Sequence, residues 1–192
     1  MMYTLLLRNK LTMAMVGLGF VSFFATSIDA QPPGTSAEHE VLKQDVGTWK
    51  ATVKMWMGPD GQTDPAAEPT VSEGEEVNRM LGPFWVVSKF TGDFAGLEFE
   101  GHSLSGYDSK LKKYVGSWVD SVSPNAMHMV GTYDAKTKTL TSQTTGVGMD
   151  GQEAKGRSVL VYKDENHRTL TMYEIKDGKE IKSMEINYER KK

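Results

Sequence analysis

The chain contains no cysteine, which removes disulfides, zinc–thiolate sites, iron–sulfur clusters and thiol nucleophiles in one step. It has no basic surplus, with 22 Lys+Arg against 25 Asp+Glu, so it lacks the charge that neutralises phosphates, and nucleic acid is not an expected partner. No nucleophile elbow, phosphate loop, zinc spacing or calcium loop appears, and no metal or cofactor is expected. Long apolar runs are missing beyond Leu11–Ala25 near the N-terminus. What is present is ordinary. Of 192 residues, 39% are apolar and 19 are Gly, which fits one globular domain and excludes a disordered chain, a collagen-like fibre and a polytopic membrane protein.

The N-terminus reads as a secretory signal peptide. Arg8 and Lys10 precede the uncharged run Leu11–Ala25, and a short polar stretch, Thr26–Ala30, ends on a small residue before Gln31-Pro32-Pro33. Cleavage after Ala30 is expected, which gives a signal peptide at 1–30, a loose lead at 31–36 and one domain at 37–192, secreted or periplasmic. The alternative is an anchoring helix, for which the apolar run falls short of the roughly twenty residues a span needs. No membrane span is expected after cleavage. An exported domain without disulfides must draw its stability from a buried core.

Past the lead, Thr35-Ser36-Ala37-Glu38 has the pattern of a capping box, and it predicts a short helix to about Asp45. Thereafter the period is two. In residues 47–57, Trp49, Ala51, Val53, Met55 and Met57 share one face and Thr48, Lys50, Thr52 and Lys54 the other, as in a strand with one face in a core. Similar runs cover 72–81, 84–93, 97–107, 113–121, 126–133, 139–147, 154–163, 168–176 and 179–190, separated by turn signals such as Asp150-Gly151 and Asp177-Gly178. Dipeptides of this kind join antiparallel neighbours. Ten strands in a meander predict an all-β, antiparallel up-and-down barrel with a short N-terminal helix, because closure removes the exposed edges. A two-layer sandwich is the alternative. A barrel in a membrane would need an uninterrupted apolar outer band, whereas the outer faces carry Lys50, Lys54, Glu75, Arg79, Lys155, Arg157, Glu180 and Lys182.

Gly47-Thr48-Trp49, opening the first strand after a helix, resembles the Gly-x-Trp signature of lipocalins and other calycins. The resemblance implies structural roles for Gly47 and Trp49: the Trp seals the closed end and a late basic residue covers it, for which Arg190, Lys182 and Arg157 are candidates. A broader likeness rests on His39-x-x-Leu42, Gly47-Thr48-Trp49, Leu81-Gly82, Gly101, Gly106-Tyr107-Asp108, Tyr114 and Trp118-Val119-Asp120-Ser121. These residues resemble the bacterial domain-of-unknown-function family 1579, which implies a calycin-like barrel and no established activity. The opening is also similar to that of the haem-binding nitrobindins. There a His near the last strands holds the iron, whereas the last His here, His167, falls in the turn Asp164–His167.

Three side chains are candidate catalytic groups: His102, Asp120 and Arg157. His102 alternates with Glu98 and Glu100 on one strand face, a row able to bind a metal or share acid–base work, but Leu97 and Phe99 opposite it look like core, which puts the row in water. Asp120 shares a face with Trp118, where burial would raise its pKa; alternatively it caps the Ser121–Asn125 turn. Arg157 and Tyr173 are candidate inward anchors for an acid group. His128 lies opposite Met127 and Met129 and reads as a surface residue. His39 is placed either over the barrel mouth or in solvent. Of 12 Met, eight (Met55, Met57, Met80, Met127, Met129, Met149, Met172 and Met184) fall in or beside strands, where flexible thioethers suit either an adaptable cavity or a plain core.

These features support an exported barrel binding a small apolar or amphipathic molecule in its interior, lined by Trp85, Phe90, Phe99, Trp118, Met129 and Tyr173. Two other readings stay open. One is an enzyme acting in the same cavity through His102, Asp120 and Arg157; the other is a structural or interaction protein with a filled barrel. Oligomeric state is not fixed by these patterns.

Overall fold

The alternation closes on itself. A computed structural model describes residues 34–94, 96–148 and 151–192, with the side chain of Phe94 also left out; the expected signal peptide and most of the lead lie outside them. A six-residue helix, α1 (Ala37–Leu42), runs through a 3-10 turn (Lys43–Asp45) into ten strands. These are β1 (Gly47–Met55), β2 (Thr70–Leu81), β3 (Trp85–Phe94), β4 (Leu97–Asp108), β5 (Lys113–Asp120), β6 (Met127–Asp134), β7 (Thr139–Val147), β8 (Glu153–Tyr162), β9 (His167–Lys176) and β10 (Lys179–Arg190). Each pairs antiparallel with the next, and β10 returns to β1 from Trp49↔Arg190 to Met55↔Met184. The result is a closed ten-strand up-and-down barrel, and the sandwich alternative falls.

Local chemistry sets the connections. At the β9–β10 hairpin, Asp177 and Gly178 both take positive φ, 51° and 72°, the combination a two-residue turn needs to match strand twist. The first strand stops at Met55 rather than 57, because Trp56 leaves the ladder and Met57 makes only an isolated bridge to Thr63. The resulting 56–69 loop reaches β9, where Thr63 donates to Glu174 at 2.6 Å. The helix starts at Ser36, one residue later than the Thr35 pattern predicts. His39 replaces the expected Glu in the box, its Nδ1 accepting from the Ser36 N–H at 3.0 Å.

Strand register divides the side chains. Trp49, Ala51 and Val53 point inward, as do Glu76 and Asn78, Val86, Ser88 and Phe90, and Arg168 across the seam. One apolar cluster joins Trp49, Ala51, Val53, Phe90, Ile186 and Tyr188, with Phe99, Trp118, Leu170, Met55 and Met184 against it. A second forms beneath α1, where Leu42, Val86 and Tyr114 meet Tyr107, Tyr133, Met80 and Leu140. The helix therefore plugs the end at which β1 begins. Its His39 is buried, edge-on to Phe84 and Tyr107 at 5.2 and 5.7 Å, so it lies neither over an open mouth nor in solvent.

Candidate functional site

Beneath the helix the interior is sealed by charge and aromatic rings. Trp49 is 1% exposed, and its indole N–H donates to the Asp45 carbonyl at 2.8 Å. The Arg168 guanidinium, 4% exposed, lies 4.4 Å from the Trp49 ring and 4.5 Å from the Tyr188 ring. One arm reaches Asp45 and the other Glu76, at 2.5 Å. Tyr188 donates to Glu76 at 2.9 Å, Tyr162 to Asp45 at 3.1 Å, and Asn78 to Glu76 at 2.7 Å. Arg190 covers Trp49 at 4.0 Å and donates to the carbonyls of Val46 and Gln44.

Electrostatics follow from burial. Loss of water pushes the Asp45 carboxyl up, with Arg168 opposing and Glu76 adding to the rise. Burial also drives the phenols of Tyr162 and Tyr188 well up, reinforced by the neighbouring acids. For Arg168 burial acts downward, and Asp45 and Glu76 outweigh it. Two atoms of this layer, Asn78 Oδ1 and Arg168 Nε, are shut off from water-sized space and have no partner among the described residues. The layer is thus a seal rather than a ligand floor.

Farther along the axis the wall changes character. The inward rows of β5 to β8 carry Gly116, Met129, Gly131, Ser142, Thr144, Gly156 and Ser158, paired in register across the strands. Gly131 is held small by its neighbour, since a Cβ there would collide with Ser142 Oγ and the Thr141 carbonyl. On the neighbouring strands stand Phe90 and Phe99, and Trp118 lies in the β5 row itself, with Phe99 stacked on Trp118 at 6.4 Å and 17°. Ser88, Ser142, Thr144 and Ser158 are buried, yet none of their hydroxyls has a side-chain hydrogen bond among the described residues. Unlike the two sealed atoms, these oxygens are not fully shut off from water-sized space. An eight-strand barrel is about wide enough for side chains to fill. In this ten-strand barrel, part of the inner wall on β5 to β8 is reduced to Gly, Ser and Thr.

Of the residues expected to line a cavity, Phe90, Phe99, Trp118 and Met129 point toward the barrel interior. Trp85 and Tyr173 do not. Trp85 sits on the outer face opposite Leu81, its ring over Gly106, and Tyr173 lies outside under the Arg157 guanidinium at 4.4 Å. Each is one residue out of phase with the inward row, and a one-residue shift reverses the face.

The three candidate catalytic groups do not converge. His102 is on the outer face, bonded to Glu100 at 2.8 Å, and Lys89 holds that Glu at 2.7 Å. Arg157 is also outside and forms a bidentate pair with Glu180 at 2.7 and 2.5 Å, so it anchors no interior acid. Asp120 alone points inward, and both its oxygens are engaged: Oδ2 accepts from the Trp118 indole at 2.8 Å, Oδ1 from the N–H groups of Val122 and Ser123. His128 is outside, at 2.9 Å from Ser117. Of the three basic residues considered as the cover of Trp49, Arg190 takes the position. Arg157 is spoken for, and a bulge between Lys182 and Met184 leaves the Lys182 ammonium over Trp56 at 4.3 Å.

Residue-by-residue reading missed Arg168, which shares the inward face of β9 with Leu170 and Met172. A charge on an apolar row was the available signal, as it was for Glu76 beside Asn78 and Met80. The hydroxyl wall was missed because Ser and Thr read as outward in a period-two pattern.

No curated protein matches the chain. Among solved structures, a redesigned β-barrel aligns over 81% of this chain and 96% of its own at 14% identity, with a TM-score of 0.38. The model of a protein family described as "Protein of unknown function (DUF1579)" matches residues 34–190, the whole barrel with its helix. The chain belongs to that family.

Proposed function

We propose that this barrel binds a small, uncharged apolar or amphipathic molecule in its lumen. The observation that carries the reading is the pairing of unbonded interior hydroxyls on Ser88, Ser142, Thr144 and Ser158 with the aromatic wall of Phe90, Phe99 and Trp118. Aromatic and Met side chains supply apolar contact area. Neutral hydroxyls offer both donors and acceptors to one polar group of a guest. Arg168, Asp45 and Glu76 are engaged with one another, and the inward Asp120 with the Trp118 indole and two turn N–H groups, so a charged guest would find no free counter-charge among them. The same reading places the binder outside the cytoplasm, after removal of residues 1–30.

The test is a titration with the neutral dye N-phenyl-1-naphthylamine. Saturable fluorescence enhancement at one dye per barrel is expected, with loss of the signal in Ser142→Phe and Ser158→Leu, which project bulk into the lumen. Circular dichroism reports whether each variant keeps its fold. Absence of saturation in the parent protein, or unchanged binding in both folded variants, overturns the reading. N-terminal sequencing of protein exported from a bacterial host should begin at Gln31.

A further inference from the structure

A hollow lies at the helix-plugged end of the barrel. It has a volume of about 320 Å³ and is bounded by Tyr107, Tyr114, Tyr133, Glu38 and Lys112. That is near the small end of ligand sites. The three phenol rings stand as walls rather than as a stack. Tyr107 and Tyr114 are 5.2 Å apart at 58°, and Tyr114 and Tyr133 are 6.3 Å apart at 66°.

Two walls are held from behind. The Tyr114 hydroxyl donates to the Glu38 carbonyl at 3.1 Å, and Tyr107 rests on the edge of His39. His39 accepts a backbone N–H through Nδ1, as the neutral ring does. The field in the hollow is negative on the helix side. Burial raises the phenol pKa values of both Tyr107 and Tyr114, and the Glu38 charge raises them further, with Asp108 adding to Tyr107. Glu38 itself is held below the usual carboxylate range by Ser36, so it is ionised near neutral pH. On the turn side the charge is positive: Lys112 borders the hollow, in a left-handed conformation with φ 54°.

We propose that this hollow binds a small zwitterion, its quaternary ammonium end boxed by Tyr107, Tyr114 and Tyr133 beside Glu38, and its anionic end on Lys112. Ring faces attract a cation through their quadrupoles, and aromatic cages are the usual way proteins hold quaternary ammonium groups. A primary ammonium asks for three hydrogen-bond acceptors. Beside one carboxylate and the hydroxyls of the tyrosines and Thr132, this box presents three rings, which suit a cation that donates nothing. Lys112 disfavours a bare cation and favours one that carries its own negative group a few bonds away.

Isothermal titration with glycine betaine, tetramethylammonium chloride and sodium acetate separates the parts. Glycine betaine should bind saturably at one per chain, tetramethylammonium about tenfold more weakly, and acetate not measurably. Lys112→Met should weaken glycine betaine and strengthen tetramethylammonium. Glu38→Gln should weaken both severalfold. Tyr133→Leu should abolish both, while Tyr133→Phe, which keeps the ring, binds as the parent does. No saturable binding of either ammonium compound overturns the site. Equal binding by Tyr133→Leu overturns the aromatic box, and insensitivity to Lys112→Met overturns the zwitterion. None of these outcomes depends on whether the lumen takes up a dye.

Discussion

Arg168 illustrates how one side chain can hold the end of a barrel closed. It is enclosed by two aromatic rings and two carboxylates, so removing its charge leaves Asp45 and Glu76 facing each other with no cation between them. Breaking such a buried set by deleting one partner costs about 3–5 kcal/mol. The tyrosines that complete the network give it a pH signature. Tyr188 and Tyr162 have folded pKa values raised above the ordinary phenol range. A raised folded value means that the unfolded chain loses its protons first. Their contribution is therefore fully present below about pH 10, where an unfolded tyrosine titrates, and is lost as pH rises through the folded values. Tyr188→Phe should lower stability at pH 7 by about 1–3 kcal/mol, since Glu76 Oε2 loses its donor. It should also flatten the fall in stability above about pH 10. Urea denaturation between pH 7 and 11 reads both effects, and an unchanged alkaline slope would refute the assignment.

At the scale of elements, the barrel's inner surface depends on where strands approach too closely for a side chain. Gly131 on β6 faces Ser142 and the backbone carbonyl of Thr141 on β7, whereas Gly106 on β4 lies under the outer ring of Trp85. A methyl group at either position collides, but the neighbours differ in what they can yield. Trp85 is on the outer face and only partly buried, so it can swing outward; the Thr141 carbonyl belongs to the ladder and cannot. Gly131→Ala should therefore cost about 1–3 kcal/mol, the usual range for overpacking, and Gly106→Ala should cost less. Thermal unfolding of the two variants decides the order, and the reverse order would show that the β6–β7 spacing adapts. Strand boundaries were legible to within two residues because the period-two runs end at turn signals such as Asp177-Gly178. Facing was not legible for Trp85 and Tyr173, where aromatic residues sit on the water side and hydrophobicity misleads.

For the whole molecule, closure is the property that matters. The β1–β10 seam satisfies the ladder hydrogen bonds of both strands, and without it β1 and β9 would both present unpaired edges. A chain ending at Gly178, lacking Lys179–Lys192, should lose its cooperative unfolding transition and associate through these edges. Light scattering and a denaturant titration check this outcome; a monomeric, cooperatively unfolding product would show that the nine remaining strands suffice. Closure also divides the interior. The helix and the Arg168 network fill one end, and beyond it the inner wall carries the hydroxyls of Ser88, Ser142, Thr144 and Ser158. The proposed ligand site is a consequence of that division.

The fold was in the sequence because it is a repeated local signal. Period-two alternation and turn dipeptides act within a few residues and recur along the whole chain, so ten strands and their antiparallel order could be read directly. Gly47 and Trp49 were legible for a related reason, since the opening of β1 carries their pattern contiguously. The charge network, the inward hydroxyl row and the grouping of the three tyrosines were decided by tertiary structure alone. Asp45, Glu76, Arg168 and Tyr188 are far apart in the chain, and only the barrel's register and curvature bring their side chains together. Whether a Ser faces water or a hollow depends on which way the sheet curves, and no single strand encodes that.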